Sequence, residues 1–114
     1  MNFAPLPSVA AAEVPSDGFV LDVRENDEWA AGHVEGALHI PMSDFVGRFG
    51  EVTQAAEDGR RVYVMCRVGG RSAQVTQYLV QQGLDAVNID GGMQAWDGAG
   101  RPMTTDDGTP AFVL

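Results

Sequence analysis

Short apolar runs alternate with segments of helical hydrophobic spacing along this chain. Four runs are rich in aliphatic and β-branched residues and are bounded by Gly, Pro or Asp; they lie at 19–23, 37–40, 61–66 and 86–89. Apolar runs of this length are typical of buried strands. The run 61–66 is the strongest of them, because Val62, Tyr63 and Val64 favour an extended backbone.

Helical segments are predicted between and beside these strands. Each has apolar residues at helical spacing or a capping residue at its start. They lie at 9–14, at 26–31, after Ser43, at 72–82 and at 93–96. Gly32 is expected to end the second segment, and Gly83 with Leu84 gives the fourth a Schellman ending. Strands that alternate with helices predict an α/β fold with a parallel sheet.

Length and charge narrow the class of protein. The chain has 114 residues, and 16 acidic residues against 7 basic ones give a formal net charge of -9. We expect one hydrophobic core and a single domain over residues 1–114. An acidic chain does not attract polyanions, so nucleic acid is not an expected partner. The sequence has no membrane-length apolar run and no basic signal-peptide start, which predicts a cytoplasmic protein without membrane binding.

The cysteine and lysine content excludes several kinds of chemistry. Cys66 is the single cysteine, and all basic residues are arginine. An intrachain disulfide and a cysteine-rich zinc site are therefore excluded, as are a lysine Schiff base and a phosphate loop that depends on lysine. The spacing of the histidines and Cys66 does not indicate a metal site. We expect neither a metal nor a cofactor.

Cys66 is the residue that points to chemistry. It ends the strongest predicted strand and is followed by a break at Gly69 and Gly70, after which a helix begins. Ligands of an open parallel sheet bind at the carboxyl ends of its strands, where loop and helix N–H groups attract anions. Arg67 and Arg71 add positive charge. We therefore expect the pKa of the Cys66 thiol to be lowered and its sulfur to be a partly exposed nucleophile.

A structural role for Cys66 is the alternative interpretation. Free cysteine is among the most buried residue types, and composition alone favours a buried, inert thiol. The position of Cys66 at a strand end, the glycine pair and the flanking arginines favour the reactive interpretation.

Three ordered segments resemble the signatures of the rhodanese family of sulfurtransferases. The N-terminal signature is similar to residues 21–25, 28–29, 32–37 and 39–41, the active-site loop to 66–72, and the C-terminal signature to 90–96 and 100–102. Together these segments span about residues 19–102, and 103–114 form a tail. The resemblance implies an α/β fold with an open parallel sheet of about five short strands, flanked by helices on both faces.

The resemblance also implies a reaction. Cys66 would be the catalytic residue, attacking the outer sulfur of thiosulfate or a persulfide donor and then carrying a persulfide that a thiol or cyanide removes. The substrate-binding loop would consist of Arg67, Val68, Gly69, Gly70 and Arg71. The expected partners are a small anionic sulfur donor and a thiol acceptor, such as a thioredoxin-like or other protein thiol. That acceptor must be external, because the chain has no second cysteine.

The two loop arginines would have different roles under this resemblance. Arg71 would position the sulfonate end of the donor, and Arg67 would shape the electrostatics of its approach. Phosphatases related to this family resemble C-x5-R, whereas Cys66 and Arg71 are spaced as C-x4-R. The shorter loop favours a sulfur atom over a phosphate or arsenate. A protein-to-protein sulfur carrier and a non-catalytic regulatory domain stay open as alternatives.

Several other residues are expected to be structural. Asp22 and Arg24 lie two residues apart at the end of a strand, which predicts a buried ion pair beside the site. His33 and His39 are expected to be hydrogen-bonded rather than catalytic. The two tryptophans, Trp29 and Trp96, are expected to pack short helices, and the apolar segment 111–114 to dock on the rest of the chain.

Overall fold

A parallel five-stranded sheet forms the centre of the computed structural model, which describes residues 6–114. The first five residues of the predicted domain lie outside this range. The strands are β1 (Ser8–Ala10), β2 (Phe19–Asp22), β3 (Leu38–His39), β4 (Val62–Met65) and β5 (Ala86–Asp90). Their order is β1-β5-β4-β2-β3, and every neighbouring pair is parallel. The predicted α/β fold with an open parallel sheet is confirmed.

Four α-helices connect or follow these strands. They are α1 (Asn26–Ala31), α2 (Phe45–Ala55), α3 (Gly70–Gln81) and α4 (Gly92–Gly98), and 3-10 turns lie at Ala11–Glu13 and Met42–Asp44. Helix α3 begins two residues earlier than predicted, and α2 has Asp44 rather than Ser43 as its N-cap. The predicted Schellman ending of α3 is confirmed, because Gly83 N–H donates to Val80 O and Leu84 N–H donates to Leu79 O.

The prediction of a helix over 9–14 is wrong. Ser8–Ala10 is an edge strand whose residues pair with β5, with Ser8 opposite Asn88 and Ala10 opposite Asp90. Only Ala11–Glu13 makes a helical turn, and it is a 3-10 turn. The alanine-rich composition favours helix locally, but the open edge of β5 offers backbone partners along its whole length, and that pairing decides the conformation.

Alternating strand residues face two apolar layers. On one side Leu21, Val62 and Val64 pack with residues of α2 and α3, including Phe45 and Leu79. On the other side, residues of β2, β4 and β5 pack against α4 and the 3-10 turn that follows β1; these are Val20, Tyr63, Met65, Val87, Ile89, Met93 and Trp96. Helices therefore cover both faces, as predicted. The buried strand β4 lies between β5 and β2, so its carboxyl end emerges at the centre of the sheet.

The C-terminal segment packs onto the rest of the chain, as the sequence predicts. Phe112 N–H donates to Ala31 O at 3.0 Å, and Val113 packs against the second apolar layer. Arg67 Nε donates to Leu114 O at 2.9 Å, which ties the end of this segment to the loop after β4. Within residues 6–114, no helix is long and apolar enough to cross a membrane.

Candidate active site

The loop after β4 is organised around the sulfur of Cys66. Cys66 directly follows β4, and Gly69 caps α3 three residues later with a φ of 112°. This positive φ favours glycine and turns the Gly69 N–H back toward the cysteine. The hydrogen bond from Gly69 N to Cys66 Sγ is 3.0 Å long. The predicted convergence of a strand end, a glycine break and a helix start on one sulfur atom is therefore present.

A hydroxyl group also faces the sulfur. Ser72, in the first turn of α3, is buried, and its Oγ donates to Cys66 Sγ at 3.3 Å. Burial alone would raise the pKa of the Cys66 thiol. Hydrogen bonds from the Ser72 side chain and from the N–H groups of Ser72, Gly69 and Val68 outweigh this effect, so the pKa lies below its ordinary value. The lowered pKa agrees with the prediction, but its main stabilising cause is hydrogen bonding rather than the arginines.

Cys66 is less accessible than predicted. Its exposed fraction is 1%, so the sulfur lies beneath the loop instead of being partly exposed. The expectation failed because the loop folds back over the strand end, with Gly69 and Ser72 both in contact with the sulfur.

Helix α4 supports the backbone of the same loop through hydrogen bonds. Met93 N–H donates to Cys66 O at 2.8 Å, and Gln94 N–H donates to Arg67 O at 3.1 Å. Gly92 makes this approach possible, because a Cβ there would overlap the Cys66 carbonyl oxygen and lie 2.8 Å from Arg67 O. The first turn of α4 therefore fixes the backbone of the loop at the cysteine itself.

Asn88 holds the loop from the neighbouring strand. It is buried in β5, and its Nδ2 donates to Gly69 O at 3.2 Å. Gly69 is the residue whose N–H contacts the sulfur, so Asn88 acts on the position of that donor. The Oδ1 atom of Asn88 is buried and has no hydrogen-bond partner among residues 6–114.

The predicted substrate arginines both have partners. Arg71 Nη1 and Nη2 donate to Glu28 Oε1 and Oε2 at 2.6 and 2.8 Å, a two-point ion pair between α3 and α1. The hydrogen bond from Arg71 lowers the pKa of Glu28 to about 2, although partial burial acts in the opposite direction. Arg67 points to the C-terminal segment, where it contacts Leu114 O. Val68 is exposed on the loop, and Gly70 begins α3.

The predicted structural residues form a brace at the edge of the site. Asp22 and Arg24 are fully buried, and Arg24 Nη2 lies 2.7 Å from Asp22 Oδ2. Arg24 also donates to the carbonyl oxygens of Glu28, in the middle of α1, and of Gly32, which ends that helix. This arrangement confirms the predicted ion pair.

The histidines are hydrogen-bonded and the tryptophans are packed, as predicted. The Trp29 ring stacks between His33 and His39, with ring centroids 3.7 and 4.5 Å away. His33 Nδ1 lies 2.8 Å from Trp29 O, and His39 Nε2 lies 2.7 Å from Arg24 O. Trp96 is buried, and its indole N–H donates to Pro102 O.

Sequence reasoning missed four residues that shape the site. Ser72, Glu28, Asn88 and Gly92 each contact the loop or one of its arginines. All but Asn88 fall within the motifs quoted above, and only the folded chain pairs them with Cys66 or Arg71. Asn88 is a polar residue in an apolar strand, which is the one signal that could have indicated it. Among residues 6–114, no group of His, Cys, Asp and Glu could hold a metal ion.

Comparison with known proteins identifies the family. The family model for the rhodanese-like domain matches residues 7–99. A Bacillus subtilis protein named "Putative sulfurtransferase YtwF" is 37% identical over 90 residues, which cover 79% of this chain and 84% of that protein. The chain belongs to the rhodanese-like family. Its resemblance to sulfurtransferases of this family is therefore confirmed at the level of the family.

Solved structures of rhodanese-like proteins share the fold. A rhodanese-related protein from Thermoplasma volcanium is 31% identical with a TM-score of 0.78, and the match covers 88% of this chain and 99% of that one. A thiosulfate sulfurtransferase from Pseudomonas aeruginosa is 29% identical with a TM-score of 0.75. This second match covers 96% of the present chain but 22% of the Pseudomonas protein.

Proposed function

We propose that this rhodanese-like chain transfers sulfane sulfur through a persulfide on Cys66. The donor is thiosulfate or a persulfide, and the acceptor is an external thiol or cyanide. One observation carries the proposal: the Cys66 sulfur, at the carboxyl end of β4, accepts hydrogen bonds from Gly69 N–H and the Ser72 hydroxyl. These donors stabilise a thiolate, which is the nucleophilic form of cysteine.

The first half-reaction forms one sulfur–sulfur bond and breaks another. The Cys66 thiolate attacks the outer sulfur of thiosulfate, and the electron pair of the broken bond leaves with sulfite. With an alkyl persulfide, R–S–SH, the same attack releases the thiolate R–S⁻ and leaves the proton on the Cys66 persulfide. Neither route needs an oxidant, because the transferred sulfur is already at the sulfane level.

The second half-reaction restores the thiolate. Cyanide attacks the outer sulfur of the Cys66 persulfide and leaves as thiocyanate, or an external thiol takes the sulfur as a new persulfide. An external acceptor fits a chain with one cysteine. The N–H groups of Val68, Gly69 and Ser72 would stabilise the negative charge on sulfur in the intermediate, as fixed donors do for oxyanions.

The burial of Cys66 and the shortness of its loop favour sulfur over phosphate. A terminal sulfur atom projects from its donor and can reach a sulfur that is 1% exposed. A phosphate ester presents a tetrahedral group, which would need a wider loop. This contrast supports sulfur transfer over the phosphatase and arsenate reductase alternatives.

Steady-state kinetics with thiosulfate and cyanide test the proposal. Thiocyanate formation should give parallel double-reciprocal lines, since the two substrates react in separate half-reactions. Cys66→Ser should abolish transfer and keep the wild-type melting temperature. Thiocyanate formation by Cys66→Ser at the wild-type rate would overturn the proposal.

A further inference from the structure

Glu28 occupies the part of Arg71 that an anionic donor would use. Its two carboxylate oxygens accept from Arg71 Nη1 and Nη2 at 2.6 and 2.8 Å. The Glu28 side chain is 13% exposed and that of Arg71 is 34% exposed, so the ion pair is shielded from solvent mainly on its Glu28 side. A planar guanidinium binds a sulfonate or a carboxylate through the same two-point geometry. A sulfonate on this edge of Arg71 would therefore have to displace Glu28.

Other groups near Arg71 add to this effect. The carboxylate of Glu25 and the sulfur of Cys66 are both close enough to favour the charged form of Arg71 and raise its pKa. A donor anion that binds at the remaining Nε–H edge would meet a guanidinium whose charge these groups already compensate. Arg67, the other cation of the loop, points to Leu114 O.

Glu28 is itself held in place by the start of α1. Its Oε1 also accepts the Glu25 N–H at 2.9 Å, as part of a capping box at the N-terminus of the helix. Moving Glu28 away from Arg71 would therefore disturb a helix cap as well as an ion pair. The carboxylate is a fixed feature of the site.

From these contacts we infer that Glu28 is a specificity-determining residue that disfavours sulfonate-bearing donors, so that the preferred donor is an alkyl persulfide. The inference rests on the proposed sulfur transfer through Cys66. Thiosulfate carries a sulfonate group directly beside its outer sulfur and needs a cationic contact there. An alkyl persulfide presents the same sulfur on a carbon-bound thiol and makes no such demand on Arg71.

Glu28→Gln is the variant that separates charge from shape. Glutamine keeps an oxygen that can accept the Glu25 N–H, and it suits this position of a capping box. It removes the negative charge and the acceptor that Arg71 Nη2 uses, so the Arg71 fork is held less strongly. With thiosulfate, kcat/KM should rise about fivefold through a lower KM. With the persulfide of 2-mercaptoethanol, kcat/KM should stay within about twofold of wild type.

Two further comparisons test whether the effect of Glu28→Gln depends on Arg71. Asp85→Asn removes one carboxylate, which pairs with Arg61. Both residues directly precede a strand, so they lie at the amino ends of the strands, whereas Cys66 lies at the carboxyl end of β4. Asp85→Asn has the same net charge as Glu28→Gln and should not change the ratio of the two donors. In an Arg71→Ala background, Glu28→Gln should lose its effect on thiosulfate, as a double-mutant cycle requires for a coupled pair.

A binding measurement keeps the test independent of turnover. Methanesulfonate, which carries the sulfonate but no transferable sulfur, should bind Cys66→Ser/Glu28→Gln about fivefold more tightly than Cys66→Ser. An unchanged donor ratio and unchanged methanesulfonate affinity would overturn the inference and leave Glu28 as a support of the loop. Wild-type protein that accepts sulfur at Cys66 from neither donor would instead refute the proposed function, so the two failures are distinguishable.

Discussion

Replacing Ser72 with alanine removes the side-chain hydrogen bond that its Oγ donates to the Cys66 sulfur. The Oγ–Sγ distance is 3.3 Å, and three backbone N–H groups, including that of Gly69, continue to stabilise the thiolate. A hydrogen bond to a charged group contributes about 1.5–3 kcal/mol, and a bond to sulfur, which is a weaker acceptor than oxygen, lies below this range, at about 1 kcal/mol. This energy corresponds to about a fivefold smaller thiolate fraction at a pH below the thiol pKa.

The rate of alkylation by iodoacetamide measures this thiolate fraction. Across a pH series, Ser72→Ala should shift the titration of Cys66 to higher pH and react about fivefold more slowly on its acidic limb. Thr76→Val is the matched control, because its buried hydroxyl lies one turn along α3 and donates to Ser72 O rather than to sulfur. If Ser72→Ala and Thr76→Val gave the same profile, hydrogen bonding from Ser72 would not be a cause of the lowered pKa.

Three further predictions follow from the same contacts. Gly92→Ala should lower the free energy of unfolding in urea by about 1–3 kcal/mol and the rate of sulfur transfer at least tenfold, because a Cβ overlaps the Cys66 carbonyl. A fully active, stable variant would contradict this prediction. Asp22→Ala should lower the free energy of unfolding by about 3–5 kcal/mol because it leaves Arg24 buried and unpaired, whereas Asp58→Ala at an exposed pair should lower it far less; equal losses would contradict the brace. The pKa of Glu28, about 2 against an ordinary 4.5, predicts a stability advantage of wild type over Glu28→Gln that is complete above pH 4.5 and disappears as the pH falls to about 2. After solvent screening at Arg71 this advantage should be about 1–2 kcal/mol in acid-titrated unfolding, and an advantage that persists at pH 2 would argue against the ion pair.

The fold was predictable wherever local pattern and tertiary packing agree. The run 61–66 is extended, apolar and central, and it forms β4 in the middle of the sheet. The residues 9–14 have a composition that favours helix, but pairing with the open edge of β5 makes the first of them a strand. The residues 9–14 contain no signal that indicates β5 as their partner, because the pairing joins residues about 80 positions apart in the chain.

The candidate site also has features that the sequence predicts and others that depend on tertiary packing. The sequence predicts that Cys66 ends a strand before a glycine break, and it predicts a lowered thiol pKa. It assigns the arginines to the substrate, whereas Arg71 pairs with Glu28 across 43 residues of chain. Proximity in the sequence indicates which charges are available to a loop. The partner of each charge depends on how α1 packs beside α3, which only the folded chain determines.

Intact-protein mass spectrometry detects a persulfide on Cys66 without relying on turnover. Purified protein is measured before treatment, after incubation with thiosulfate or the persulfide of 2-mercaptoethanol, and again after cyanide. The account predicts a gain of one sulfur atom, located on Cys66 by peptide mapping, absent in Cys66→Ser and removed by cyanide. A wild-type mass that stays unchanged with both donors would contradict the account.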